Sequence, residues 1–139
     1  MARDAKSKQD SAAKPKPLTD VEWAIMGAVW EHEPCTAGTV QEALHSAHGW
    51  AYSTVKTTMD RMVAKGVLGT HAIRNLQMFV PLITRTEAKR AELRRLLSRA
   101  FNGALTPMIQ FLVEDEGLSA DELKQLRKLL DRPIDKSGR

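Results

Sequence analysis

A short polar face in the middle of the chain carries hydroxyl, cationic and acidic side chains at helical spacing. Between Ser53 and Leu68, the residues that recur at helical spacing and would face a core are Val55, Met59, Met62 and Val63. The opposite face presents Ser53, Lys56, Thr57, Asp60 and Arg61. Lysine and arginine donate hydrogen bonds to guanine, and threonine offers a methyl group to thymine or a hydroxyl to phosphate. The pattern therefore predicts a DNA recognition helix.

The sequence also indicates where this helix begins and ends. Ser53 or Thr54 is suited to cap the free amide groups at its start. Gly66 can adopt the left-handed conformation that ends a helix, which would make Lys65 the last helical residue. The predicted helix is about three turns long, a length that fits the major groove of DNA.

Two further helices are predicted before the recognition helix. The segment Thr19-Asp20-Val21-Glu22 has the form of a capping box, from which a helix would run to about Glu31 and stop at Pro34. Thr36 can cap a second helix that ends near His48-Gly49. Three helices in succession, the last with a cationic outer face, form the helix-turn-helix pattern.

A β-hairpin is predicted directly after the recognition helix. Val67 to Ile73 and Gln77 to Ile83 are rich in β-forming residues, and Arg74-Asn75-Leu76 separates them. Asn75 can adopt a positive φ in such a turn. A hairpin in this position is the wing of a winged helix, and Arg74 at its tip would reach an adjacent phosphate or the minor groove.

Three amphipathic helices follow the hairpin. The first begins at Thr84 or Thr86, the second covers about Leu105 to Asp115, and the third starts with a capping box at Ser119. One copy of the chain cannot bury all their apolar stripes, so we predict a symmetric homodimer. The alternative is that the stripes fold back onto the head of the same chain. The residues expected at the dimer interface are Leu93, Leu97, Phe101, Met108, Leu112, Leu123, Leu126 and Leu130.

The expected fold is mainly α-helical, with a winged helix-turn-helix head of three helices and a hairpin wing, followed by a C-terminal helical dimerisation region. We expect a DNA-binding domain over residues 18–83 and a dimerisation domain over residues 84–132. Residues 1–17 hold five bases, two acids and no aromatic residue, which predicts a disordered basic arm. This arm would either add salt-sensitive attraction to DNA or only improve solubility. Residues 133–139 are expected to form a flexible tail.

Charge is segregated along the chain. Residues 18–49 hold five acids and neither Lys nor Arg, whereas residues 50–100 hold ten bases and three acids. A basic block that contains the predicted recognition helix indicates a surface that contacts phosphates. For Arg90, Arg94 and Arg95, a solvated helix face explains the charge equally well.

Composition argues against several other classes of protein. No run approaches the roughly 20 apolar residues of a membrane span, and the N-terminus lacks the apolar stretch of a signal peptide, so we expect a cytoplasmic protein without membrane insertion. The single cysteine, Cys35, cannot form an intrachain disulfide. Neither a Gly-rich phosphate loop nor a Ser, His and acid set is present, so we predict no catalytic residues and no cofactor. His32, Cys35, His45 and His48 offer zinc-competent donors, but their spacing matches no familiar zinc finger, and no metal site is predicted.

Three blocks of sequence resemble the penicillinase repressor family, the BlaI, MecI and CopY group of bacterial winged-helix repressors. The first helix reads E-W-A-I-M-G-A-V-W, similar to that family's E-W-x-(I/V)-M-x-x-(I/V)-W opening. The recognition helix reads T-V-K-T-T-M-D-R-M-V-A-K-G, similar to T-(V/I)-(K/R)-T-x-x-x-R-L-x-x-K-G. The segment L-S-A-D-E-L-K-Q-L-R-K-L-L is similar to the family's last dimerisation helix. The resemblance covers about residues 18 to 131.

The resemblance implies a homodimer that binds a palindromic operator in double-stranded DNA and represses genes, typically for resistance to cell-wall antibiotics. It places Lys56, Thr57 and Arg61 toward the groove, with Ser53 and Thr54 near phosphates at the helix start.

The resemblance also implies a mode of induction. In family members that respond to β-lactams, a membrane-bound metalloprotease sensor leads to cleavage of an Asn-Phe bond in the dimerisation domain. The aligned bond here is Gln110-Phe111, in which Gln replaces Asn. The copper-responsive branch uses a C-terminal cluster of cysteines, and a chain whose only cysteine is Cys35 is not expected to sense copper in that way.

Two other functions remain open at this point. The chain could be a winged-helix regulator that binds a small ligand directly, between the head and the dimer helices. It could also be a protein-interaction module whose three-helix head binds another protein.

Overall fold

The computed structural model describes residues 17–132. Within these residues the chain forms six α-helices, one π-helical segment and one two-stranded antiparallel sheet. It divides into two compact units between Leu93 and Arg94. The helical content and the hairpin confirm the predicted class, a winged helix with a helical C-terminal part. The predicted tail and all but the last residue of the predicted N-terminal arm lie outside the described residues.

The first two helices begin where the capping residues predict. Helix α1 covers Asp20–His32, and Thr19 and Glu22 cap it reciprocally. Helix α2 covers Ala37–His48, and the Thr36 side chain accepts a hydrogen bond from the backbone N–H of Thr39. These bonds satisfy amide groups that the helix itself leaves without partners.

Helix α3 covers Tyr52–Lys65 and begins two or three residues earlier than a cap at Ser53 or Thr54 would imply. The extended residue before it is Ala51, and among the described residues no side chain caps its amide groups. Ser53 and Thr54 are already helical, so the prediction that one of them caps the helix is wrong. Instead, the Thr54 carbonyl accepts a hydrogen bond of 2.9 Å from the Thr58 hydroxyl. The other end agrees with the prediction, because Gly66 adopts a φ of 91° directly after Lys65.

Strands β1, Leu68–Ile73, and β2, Leu76–Pro81, form the predicted hairpin. Ile73 pairs with Leu76, so the turn contains two residues rather than the three expected. These two residues, Arg74 and Asn75, both have positive φ, of 50° and 69°. Such a turn matches the twist of antiparallel strands, and asparagine tolerates this conformation well.

The core of the first unit lies between α1, α2, α3 and the hairpin. Its fully buried large side chains are those of Phe79, Ile25, Met26, Met59, Met62, Leu68, Val29, Val40 and Val55. The backbone of Phe79 also exchanges two hydrogen bonds with Cys35, of 2.7 and 3.1 Å. Burial raises the pKa of the Cys35 thiol, and the negative charge of Glu33 adds to this effect. Cys35 is therefore a neutral core residue that attaches the α1–α2 connection to the hairpin.

The C-terminal helices follow the predicted order. Helix α4 covers Arg85–Phe101, α5 covers Leu105–Phe111, and α6 covers Ala120–Asp131 after a capping box at Ser119. The second predicted helix does not stay regular, because Leu112–Gly117 is π-helical.

The second unit buries none of its residues within a single chain over residues 94–132. Large apolar side chains are instead exposed on every one of its helices. They belong to Leu96, Leu105, Phe111, Leu112, Val113, Leu129 and Leu130. Exposed apolar side chains in this number are typical of an interaction surface.

Candidate nucleic-acid interface

A positive backbone angle, a hydrogen bond and a ring contact stabilise the turn between α2 and α3. Gly49 has a φ of 67°, which reverses the chain after α2. The Gln41 side-chain amide donates a hydrogen bond of 3.0 Å to the Trp50 carbonyl. The rings of His48 and Trp50 stack with centroids 4.1 Å apart. These contacts set the direction in which α3 leaves the turn, and the sequence patterns did not indicate them.

Helix α3 has one buried face and one exposed face. Val55, Thr58, Met59 and Met62 are buried against the core. The exposed residues include Ser53, Thr54, Thr57, Asp60 and Arg61, and Lys56 is half-buried. The predicted groove-facing residues therefore lie on the side of α3 that points away from the core.

A shallow open depression lies on this exposed face. It is lined by Ser53, Thr54, Thr57, Thr58 and Arg61. Hydroxyl groups and one guanidinium thus share a surface, and these groups hydrogen-bond to phosphates and base edges. The structure brings four of the predicted DNA-binding residues together here, while Lys56 is not part of the lining.

Lys56 instead forms an ion pair with Asp60. Its Nζ lies 2.9 Å from Oδ2 and 3.1 Å from Oδ1 of Asp60. The two residues are four positions apart, a spacing at which helical side chains meet. This spacing is visible in the sequence, yet the prediction treated Lys56 as a separate base.

The end of α3 is attached to the start of α1. Lys65 Nζ donates hydrogen bonds to Glu22 Oε1 at 2.5 Å and to the Pro17 carbonyl at 2.8 Å. The Glu22 side chain is only 8% exposed. Burial by itself would raise the pKa of Glu22. That pKa is nevertheless below its ordinary value, because Lys65 and the Thr19 amide donate hydrogen bonds to the carboxylate and the positive charges of Lys65 and Arg61 lie near it. Glu22 is thus a buried carboxylate that fixes the orientation of α3.

The tip of the hairpin is exposed and carries one base. Arg74 occupies the first position of the turn, and Ile73 and Leu76 on either side of the turn are 44% and 56% exposed. The structure places Arg74 at the tip, as the sequence predicted, and in the same compact unit as α3.

The sequence profile of the penicillinase repressor family matches residues 18–132 of this chain. The chain belongs to the penicillinase repressor family. It is 25% identical over 114 residues to the penicillinase repressor of Bacillus licheniformis, which covers 82% of this chain and 89% of that protein. It is 22% identical over 115 residues to the methicillin resistance regulatory protein MecI of Mammaliicoccus sciuri. The identity to the MecI protein of Staphylococcus aureus strain N315 is the same. Each of these two matches covers 83% of this chain and 94% of the relative. The protein is therefore a transcriptional repressor of this family and not an enzyme.

The residues considered for zinc in this repressor are engaged in other contacts. Cys35 is buried against the hairpin, His45 lies 3.3 Å from the Gln41 side-chain amide, and His48 stacks on Trp50. Between residues 17 and 132 no group of three His, Cys, Asp or Glu side chains is arranged to hold a metal ion. Over the same residues, no helix combines the length and apolar character that crossing a bilayer requires.

The repressor's predicted interface residues differ in exposure within one chain. Leu93, Leu112 and Leu130 are exposed, by 49%, 41% and 66%. The half-buried members of the set are Leu97, Phe101, Met108, Leu123 and Leu126.

The candidate cleavage bond lies at the junction between two kinds of helix. Gln110 and Phe111 are exposed, and Phe111 is the last residue of α5 before the π-helical segment. The Phe111 ring packs edge-on against Phe101 with centroids 6.4 Å apart, and the Gln110 side chain donates to Glu114 at 3.4 Å.

Proposed function

We propose that this repressor acts as a homodimer that binds a palindromic operator, with α3 of each copy in a major groove. The observation that carries the proposal is the exposed face of α3, where Thr57 lies between the Lys56 and Arg61 flanks. The buried residues on the opposite face hold the helix rigidly against the core. A rigid polar helix face flanked by Lys56 and Arg61 can place donors against base edges without a further cost of ordering the backbone.

The start of α3 supplies a further contact for DNA. Because no side chain of the described residues caps this helix, the backbone N–H groups of its first turn are available to a phosphate. Ser53 and Thr54 add hydroxyl groups at the same end. Lys56, Thr57 and Arg61 would then reach the groove, and Arg74 on the wing would bind an adjacent phosphate or the minor groove.

The exposed apolar side chains of the second unit support dimerisation. We assign residues 18–83 to DNA binding and residues 84–132 to the dimer. A second copy related by a two-fold axis would present the same leucine faces and cover them. The interface would contain Leu93, Leu97, Phe101, Met108, Leu112, Leu123, Leu126 and Leu130.

For the regulated genes we propose resistance to cell-wall antibiotics, since relatives of this chain are a penicillinase repressor and methicillin resistance regulators. Induction would follow cleavage of the Gln110-Phe111 bond in response to a membrane-bound metalloprotease sensor. The exposure of both residues and the change of helix type after Phe111 support this site, because such a junction opens more easily than a regular helix.

The decisive experiment measures the binding of the full-length chain to duplexes selected from its own genome. We expect one duplex family with two-fold symmetric half-sites, and binding that weakens steeply with salt. Each neutralised phosphate lowers the logarithm of affinity by about 0.9 per unit of log salt concentration. A duplex of the same composition in scrambled order is the control. Equal, weak binding to both would instead support a protein-interaction module.

One observation favours the small-ligand alternative. A half-open pocket of about 350 Å³ on the first unit is lined by Trp30, Glu33 and the segment from Pro81 to Arg85. The Arg85 guanidinium lies over the Trp30 ring, 4.9 Å from its centroid. A compound bound here that releases the selected duplex from the intact chain would establish this mechanism.

A further inference from the structure

Asp60 lies close to the middle of the face that α3 presents to DNA. Residues of an α-helix follow each other at roughly 100° around its axis. Ser53, Thr57 and Asp60 therefore project opposite to the buried Val55, whereas Lys56 projects nearer the edge of the exposed face. The Asp60 side chain is 50% exposed and that of Lys56 is 31% exposed. A carboxylate thus occupies a position where a DNA-binding helix reads bases.

The ion pair with Lys56 makes this carboxylate compatible with DNA. A bare carboxylate in the groove would be repelled by phosphates, but the ammonium group within 3.1 Å of both oxygens makes the pair neutral. An exposed pair at this spacing contributes little to the stability of a helix. The pair does place one donor, the Lys56 ammonium, and one acceptor, the Asp60 carboxylate, at a defined separation on the exposed face of α3.

A donor and an acceptor at this separation lie side by side on both the C·G and the A·T edge of the major groove, and the two edges differ in the groups next to them. In a C·G pair, the cytosine N4 amino group and guanine O6 are bonded to each other at about 2.9 Å, so a donor and an acceptor lie side by side. Asp60 can accept from cytosine N4, and Lys56 has a third N–H for guanine O6 or N7.

Other base pairs fit the pair of side chains less well. At thymine, the O4 acceptor would face the Asp60 carboxylate, and two acceptors repel. At adenine, the N6 amino group would suit Asp60 and thymine O4 would suit Lys56. The adenine N7 acceptor, however, would face the same carboxylate, and the thymine methyl group would stand where guanine N7 offers Lys56 a second acceptor.

We propose that Lys56 and Asp60 act as one unit that reads a single C·G base pair in each half-site, with Asp60 as the residue that selects cytosine. This proposal rests on the proposed function, in which α3 enters the major groove. It adds a specificity determinant to that function. Asp60 is negatively charged and cannot bind a phosphate, so its role on this face would be to recognise a base.

The test compares the base preferences of the full chain with those of Asp60→Ala and Asp60→Asn. Each protein selects from a library of duplexes randomised over roughly three helical turns. The wild type should enrich a C·G pair at one position of each half-site and bind it about tenfold more tightly than T·A in a matched duplex. Asp60→Ala should lose most of this discrimination. Asp60→Asn should shift the preference toward adenine, which an asparagine side chain recognises through N6 and N7.

Glu31→Ala is the matched control, because it removes the same charge from an exposed position of the same compact unit outside α3. It should keep the wild-type preference. An Asp60→Ala protein that enriches the same base pairs with undiminished discrimination overturns the proposal, even if its affinity rises for all duplexes through the loss of a negative charge. A wild type that enriches no sequence refutes the proposed function itself, and this inference with it.

Discussion

Lys65 Nζ lies 2.5 Å from Glu22 Oε1, and this buried ion pair joins the last residue of α3 to the first turn of α1. The two residues are 43 positions apart in the chain. The Thr19 amide donates its capping bond to the same Glu22 oxygen, so one carboxylate both caps α1 and holds the end of α3.

Lys65→Met should destabilise the fold. The Glu22 carboxylate would then remain buried without its ion-pair partner, a change that typically costs about 3 kcal/mol, although it keeps the bond from the Thr19 amide. Chemical denaturation of the full chain measures the change. The double variant Glu22→Gln with Lys65→Met should recover part of the loss, because it leaves no buried charge. Equal destabilisation in the single and double variants would mean that packing of the lysine stem, rather than the charge, is what matters.

The Glu22–Lys65 pair should also make stability depend on pH. The folded pKa of Glu22 lies below its ordinary value of 4.5, so between the two values the unfolded chain binds more protons than the folded chain. The stabilisation is therefore complete above pH 4.5 and is lost as the pH falls through the folded pKa. Unfolding measured from about pH 6 to about pH 3 should show a weaker acid dependence in Glu22→Gln than in the wild type. Identical slopes would exclude Glu22 as a source of acid sensitivity.

Arg61→Ala should weaken operator binding. Arg61 lines the depression on the exposed face of α3, and loss of one good base or phosphate contact costs about tenfold in affinity. Titration of the selected duplex at physiological salt measures this. Lys124→Ala removes one positive charge from the second unit and should leave affinity close to that of the wild type. Unchanged affinity in Arg61→Ala would remove that residue from the interface.

Leu130→Glu should weaken the homodimer without unfolding a single chain. Leu130 is 66% exposed in one copy, so a charge there costs the isolated chain little. Burial of that charge in a leucine interface should raise the dissociation constant of the dimer roughly thirtyfold, or about 2 kcal/mol. Sedimentation over a range of concentrations measures it. Gln125→Glu adds the same charge to another face of α6 and should dissociate like the wild type.

Induced cells should contain a fragment whose new N-terminus is Phe111. Cleavage would occur at the junction between α5 and the π-helical segment, so Phe111→Asp should leave the chain intact. Val113→Asn changes a nearby exposed position outside the proposed interface and should still be cut. The measurement is immunoblotting after treatment with a β-lactam, followed by N-terminal sequencing of the fragment. Derepression with a fully intact wild-type chain would exclude this route of induction.

Local signals predicted the ends of most elements. Thr19, Thr36 and Ser119 each cap a helix because a short oxygen-bearing side chain can reach the amide groups of the next turn, and Gly66 ends α3 because glycine accepts positive φ. The start of α3 escaped prediction because Ala51 has no capping group, so the pattern pointed to the nearest hydroxyl instead.

Non-local contacts were not predictable in the same way. The pairing of Lys65 with Glu22 and the two backbone hydrogen bonds between Cys35 and Phe79 join segments that are far apart in the chain. No periodicity or spacing encodes such contacts, which depend on how the elements pack. The ion pair between Lys56 and Asp60 is different, because its four-residue spacing was available in the sequence.

The backbone of Val67 connects α3 to the hairpin. The Val67 amide donates to the Met62 carbonyl in α3, and the Val67 carbonyl accepts from the amide of Leu82, which directly follows β2. Val67 thus joins the helix and the wing through its backbone, so the position of the wing relative to α3 is fixed. In the proposed complex, the number of base pairs between the α3 contact and the wing contact would therefore be constant, and we expect insertion of a single base pair inside a half-site to abolish one of the two contacts.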